Sequence, residues 1–353
     1  IMGFCNGSCA GFAIPVAQAF GAKDFAKMRS YVSNAMRIGV MLAVVITLLS
    51  CAFCSKILHL VNTPSDIFDD AWTFLFLQFL AIPFTIAYNL QASLIRALGD
   101  SKHPFYFLIF SSLFNIALDA VLIFGLGMGV LGAGVATLLA QAFSSALCYG
   151  FIRRKMTVLI PQGDERAYDN KRISILLNNG VPMGLQVSIT AVGVIMLQSA
   201  NNALGTLYVA SYTAAVRKKY LFTCVFENIG VAMATYCGQN PRAVIYDRIF
   251  KGMRSCFWIC KGCAVLAAAI NCFVGPHWIG WIITSPTAVD MDYEMRYLRI
   301  ASIFMLPLAW IFAYRNGLQG LNRGLVPMLS GVMELAARVI AIAIFAKPFG
   351  YTG

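Results

Sequence analysis

Nine stretches of this sequence are too long and too apolar to fold in water. They run near 37–55, 71–95, 104–125, 130–152, 177–203, 208–236, 254–275, 297–315 and 326–346. Each approaches the roughly 20 residues that carry an α-helix across about 30 Å of hydrocarbon. In lipid every backbone N–H and C=O must be satisfied within the protein, so runs of this length are read as helices. Hydrophobic residues make up 59% of the chain and charged residues 12%, and the mean hydropathy is +0.73, well outside the soluble balance. The expected fold class is all-α, a polytopic membrane protein. Residues 1–21 are apolar from the first position and read as the remainder of a tenth span, while 349–353 stop in a turn-like segment. The fold is therefore expected to be incomplete at both ends.

Charge placement tests that count of spans. If successive loops alternate sides, those near 22–37, 96–103, 152–173, 240–256 and 315–324 share one face and hold 18 of the 27 Lys and Arg. The opposite loops hold Lys56, Arg296, Arg299 and Lys347. The asymmetry fits the positive-inside rule and makes the first face cytoplasmic, in a multi-pass protein of the plasma or inner membrane. The net charge of +12 then reads as topology and contact with anionic lipid headgroups, without nucleic acid as a partner.

The chain also repeats itself at an offset of about 220 residues. Gln18-Ala-Phe-Gly-Ala22 closes an apolar span and opens a basic stretch, as does Gln239-Asn-Pro-Arg-Ala243. Pro83 and Pro104 frame a span and its following loop, and Pro307 and Pro327 frame another. A duplication inside a membrane protein points to two pseudo-symmetric lobes enclosing a substrate path, the plan of a transporter. The polar stretch from Arg153 to Arg172 is the natural connection, giving an N-terminal lobe at 1–155, a cytoplasmic linker at 156–175 and a C-terminal lobe at 176–353. The glycines between Gly125 and Gly134 read as a tight external turn leading into a small-residue helix face; a nucleotide loop would need a preceding strand and a nearby Lys.

Arg96-Ala-Leu-Gly-Asp100 followed by Pro104, Asn115-Ile-Ala-Leu-Asp119, Gly127-Met-Gly-Val-Leu-Gly-Ala-Gly134 and Ala136-Thr137 together resemble the multidrug and toxic compound extrusion (MATE) family. The Gln18 turn and Glu334-Leu-Ala-Ala-Arg338 match it as well. The resemblance covers essentially the whole chain and implies twelve helices in two six-helix lobes, with the first helix, part of the second and the last lying outside this sequence. The spans near 177–203 and 297–315 lack the acids of other branches, so the chain resembles the DinF-like branch. Arg242 stands where the family has Gly in the second Gln turn.

Ionisable groups inside a bilayer are costly, so those retained are functional candidates. Asp119 follows Asn115 by four residues, on the same helix face. The resemblance implies that Asn115, Asp119 and Thr137, with an Asp upstream of Ile1, form a cluster responsive to protons or sodium. The chemistry stands independently, since a carboxylate held from water can take up a proton, and Asn, Asp and Thr oxygens suit a hard cation. The competing reading is a polar clamp between two helices. Glu334 and Arg338, also four apart, read as a structural ion pair. Glu227, and Arg217 at the head of the Arg217-Lys-Lys219 run, are candidates for the substrate cavity, with Gln186, Met183 and Asn201 of the preceding span. Adaptable Met walls with a few polar groups suit polyspecific binding, while packing and interhelical hydrogen bonds are the alternative use.

Eleven cysteines lie in or beside apolar spans without neighbouring His and read as small packing residues. No cofactor is expected, and no metal beyond a possible sodium at Asp119. The expected function is a secondary active exporter of organic, cationic or amphiphilic compounds, monomeric among membrane lipids, driven by a proton or sodium gradient. A flippase for lipid-linked precursors is the alternative, whereas an enzyme would need a catalytic constellation of which the sequence carries no sign.

Overall fold

The computed structural model describes residues 1–60, 63–202, 206–240, 246–273 and 288–346, and among them every regular element is helical. In chain order these are α1 (Met2–Gly21), α2 (Phe25–Ala52), α3 (Cys54–Leu60), α4 (Phe68–Leu80), α5 (Ile82–Ala97), α6 (Lys102–Asp119), α7 (Gly129–Lys155), α8 (Asn170–Asn202), α9 (Thr206–Gln239), α10 (Tyr246–Phe273), α11 (Ala288–Ile303), α12 (Met305–Gly320) and α13 (Leu325–Ala341). Among the described residues eight helical segments are long and apolar enough to cross a membrane, and α11 with α12 meets the same test only when the two are taken together, with a bend of 51° between them.

The repeat legible in the prolines recurs in the helices. α4 and α5 part at Ala81, just before Pro83, and α11 and α12 part at Phe304, before Pro307. Each proline lacks the N–H that would bond the carbonyl four residues back, and its ring crowds that carbonyl. The next turn also corresponds: α5 closes into a left-handed residue at Gly99 (φ 96°) and α12 into Asn322 (φ 66°), the two residue types that tolerate this conformation best. α6 and α13 both run into a single π-helical turn, Ala120–Gly125 and Ile342–Ala346.

The chain divides into two compact units, Ile1–Gly184 and Leu185–Gly353. The sequence placed the division between 155 and 176, whereas the structure carries the first unit into the middle of α8. Glycine contacts account for this. Gly7 and Gly11 of α1 meet Gly180 and Gly184 of α8 so closely that a Cβ on Gly11 would lie 2.5 Å from Gly180 Cα, and one on Gly7 2.6 Å from the Met183 carbonyl oxygen. Two facing small-xxx-small faces let backbones touch in lipid, where no hydrophobic force draws helices together.

The expected linker is likewise folded onto the first unit. Arg29 of α2 forms a two-pronged pair with Glu165, both contacts at 2.6 Å. Asn34 donates to the Ala167 carbonyl at 3.4 Å and accepts from the Asp169 N–H at 3.3 Å, while Arg37 donates to the Arg166 carbonyl. Asp169 then caps α8 by accepting from the N–H groups of Lys171 and Arg172. Outward faces such as Val40, Met41, Val44, Val45 and Leu48 of α2 stay exposed and apolar, as lipid contact requires. Among the described side chains ten cysteines are free thiols, most of them buried. Arg242 and Lys347 lie outside the described residues.

Candidate functional site

The first unit holds its membrane-embedded acid on α6. The Asn115 Nδ2 and Asp119 Oδ1 atoms are both shielded from solvent and have no hydrogen-bond partner. An unsatisfied buried polar group costs about 1–3 kcal/mol, so two on one helix face mark a place where the fold gives up stability. Asp119 is the last α-helical residue before the π turn, in which the Leu126 N–H reaches back five residues to the Val121 carbonyl at 2.9 Å. Such turns re-aim the side chains around them and recur at functional sites. One turn before Asn115, the Ser111 hydroxyl donates to the Ala140 carbonyl of α7 at 2.7 Å and ties the two helices together. Thr137 lies on α7, but its hydroxyl donates to the Ala133 carbonyl of its own helix at 3.0 Å.

In the second unit a larger polar cluster joins α8, α9, α12 and α13. Gln186 and Gln319 are each 2% exposed and their amides lie 2.5 Å apart. With its oxygen turned toward the neighbouring guanidinium, the Gln186 amide accepts from Arg315 Nε at 2.7 Å and Nη1 at 3.2 Å. Amide orientation is set by such partners. Arg315 Nη1 also lies 3.8 Å from Glu334, its guanidinium sits over the Phe312 ring at 4.9 Å, and Glu227 is within Coulombic reach. Arg338 pairs with Glu334 four residues earlier, and its stem packs against Gly193, where a Cβ would meet Cδ at 3.0 Å.

The sequence counts Arg315 with a loop and Arg217 to Lys219 as one run, and the structure gives each a finer placement. Arg315 is part of α12, with its side chain 14% exposed, because the helix continues to Gly320 before turning. In the α9 run, helical geometry separates the three neighbours by about 100° each. Arg217 is exposed, Lys219 lies over the Tyr297 ring at 5.6 Å, and Lys218 is buried against Glu294 of α11 at 2.7 Å. Ser211, Ala214, Ala215 and Lys218 are all 3% exposed or less, so the small-residue face of α9 was the available sign that Lys218 points inward. Glu294 was missed because it lies just before the span drawn at 297–315. The remaining candidates are dispersed: Met183 is buried in the first unit, and Asn201 spends its amide on the Tyr208 carbonyl at 3.3 Å.

Comparison with known proteins places this architecture. The family description MatE matches residues 1–121 and 182–348. The chain is 27% identical over 266 residues to a probable multidrug resistance protein of Bacillus subtilis, YoeA, covering 73% of this chain and 58% of that one. It is 31% identical over 232 residues to a second from the same organism, YpnP, covering 64% and 50%. The chain thus spans about half the length of these relatives. The crystal structure of a Vibrio cholerae MATE transporter, VcmN, superimposes with a TM-score of 0.91 at 16% identity, over 99% of this chain and 79% of that one, which is a likeness of fold. From the helical spans, the repeated kinks and the family match, the chain belongs to the MatE family of multi-pass membrane transporters.

Proposed function

We propose that the chain belongs to an ion-coupled exporter of organic, cationic or amphiphilic compounds, working by alternating access. The observation that carries this reading is the pair of unpartnered, shielded polar atoms on α6, Asn115 Nδ2 and Asp119 Oδ1. A carboxylate with one oxygen kept from water beside an idle amide binds a small cation with a gain in free energy that depends on its surroundings. A conformation that reshapes those surroundings is therefore favoured or disfavoured by the ion. Thr137 contributes once its hydroxyl leaves the Ala133 carbonyl, and the oxygens so gathered suit a proton or sodium. The multidrug-resistance names of the two Bacillus relatives support an exported, chemically varied substrate.

Reconstitution of the full-length protein in proteoliposomes tests the reading. Asp119→Asn should abolish gradient-dependent efflux while leaving the protein in the membrane, and coupled efflux at the unsubstituted rate would refute it. The lipid-linked precursor flippase is the second reading, favoured by the cations gathered in the second unit, and a fluorescent precursor moved in the absence of any ion gradient would support it.

A further inference from the structure

We propose that the second unit receives the acidic group of the transported amphiphile, a carboxylate or phosphate, between Lys219 and Arg338 with Arg315 beside them; this rests on the exporter reading above. Three cations, one each from α9, α12 and α13, surround Glu334. Glu334 is the carboxylate in salt-bridge contact with the two arginines, and Glu227 of α9 lies within reach of Arg315. Lys219 forms no ion pair among the described residues; it lies against the Tyr297 ring and within Coulombic range of Arg338, Glu334 and Tyr212. A structural ion pair needs one cation for each carboxylate, and three cations beside Glu334 and Glu227 leave one positive charge over. An unbalanced charge in a low-dielectric setting is a cost that a transmembrane segment retains for function.

The Arg338 side chain is 25% exposed, while that of Arg315 is mostly buried at 14%, and each guanidinium has five N–H donors in a planar fork that matches a carboxylate or phosphate. Tyr212 and Tyr297, edge to face with centroids 5.6 Å apart, supply an aromatic rim for the apolar part of the ligand. The internal repeat sharpens the contrast: Arg338 stands eleven residues after Pro327, as Asn115 stands eleven after Pro104. At one register position the first copy carries an amide one turn before an acid, and the second carries a guanidinium one turn after one. The two copies have opposite polarity.

A matched pair of probes reads this out. N-dansylglycinate carries a carboxylate and dansylcadaverine an amine on the same fluorophore, and both are titrated by fluorescence polarisation against the full-length protein in phosphatidylcholine nanodiscs. The carboxylate probe should bind the more tightly. Lys219→Gln should cut the ratio of the two affinities about tenfold, the loss expected for one charge-assisted contact; because Lys219 is in no ion pair, this variant tests the site even where Arg338→Gln fails to fold. Arg315→Gln should act in the same direction. If phosphatidylglycerol in the nanodiscs competes with N-dansylglycinate, the acidic group is supplied by a lipid headgroup; if it does not, by a soluble substrate. Preference for dansylcadaverine, or a ratio unmoved by Lys219→Gln, overturns the site. Failure of the exporter reading is separate: it is seen when the carboxylate probe binds as described and neither probe is moved by any imposed gradient.

Discussion

The glycine contact of α1 against α8 makes a demanding prediction. An alanine at Gly11 would place its Cβ 2.5 Å from Gly180 Cα, 2.7 Å from the Asn179 carbonyl oxygen and 2.8 Å from the Asn179 carbonyl carbon. All three neighbours are backbone, so no side chain can swing aside. The helices must separate by roughly 1 Å to restore ordinary contact, and a gap of that size forfeits about a quarter to a half of the dispersion energy of each facing atom pair. Overpacking of this kind costs about 1–3 kcal/mol. For a unit of this size each kcal/mol is worth about 2–4 °C in Tm, so Gly11→Ala should melt roughly 2–12 °C lower in detergent, followed by intrinsic cysteine labelling during a thermal ramp. The buried thiols Cys5 and Cys9 of α1 report the separation directly. Gly150→Ala is the control: it lies within α7 with nothing inside 4 Å of the added Cβ, and it should be neutral or gain up to about 1 kcal/mol from helix propensity. Equal melting of the two variants would refute the claim that glycine contact holds α8 to the first unit.

Other consequences follow from the ion pairs. Glu294→Gln leaves Lys218 buried opposite a neutral group and should destabilise the second unit by about 3–5 kcal/mol, whereas Lys218→Met with Glu294→Leu should be near neutral, as measured by denaturation in mixed micelles; equal losses would contradict the assignment. The Arg29 guanidinium and the Gln162 N–H hold the Glu165 carboxyl down to about 2, from 4.5. A lowered value means that stability is fully present above 4.5 and lost as pH falls through about 2. The segment 156–169 should resist pepsin at pH 4 and be cut near pH 2, and Glu165→Gln should be cut at both; resistance of the variant at pH 4 would show that the ion pair does not hold the segment. Pro307→Ala should straighten the α11–α12 bend of 51°, read as a longer spin-label distance between the ends of that span, and an unchanged distance would place the cause of the bend in packing.

How much of the fold was legible depended on what each residue encodes by itself. The spans near 104–125 and 326–346 were drawn almost as they stand, since α6 and α13 are uninterrupted apolar helices each begun near a proline. The bend inside 297–315 was not, although Pro307 was in view, because a proline fixes a broken hydrogen bond but not the angle that packing then selects. Asn115 and Asp119 were found by spacing on one helix. Glu294, Lys218 and the Arg315–Gln186 contact were not, because their partners are 76 and 129 residues apart in the chain and no local pattern records such a meeting.

The sequence by itself determined the solvent, the helical class, the duplication and the placement of an acid on α6, because each is set by hydropathy, period or a single residue type. Tertiary structure alone decided three things. It placed the division between units inside α8, where facing glycines leave no room for a Cβ. It sorted Arg217, Lys218 and Lys219 into exposed, ion-paired and aromatic surroundings. It also brought Arg315 to the carboxylate that Arg338 holds from one turn away on its own helix. Each of these depends on which helices touch, and in lipid that choice rests on backbone fit and on pairing of distant charges more than on apolar content, which every span shares.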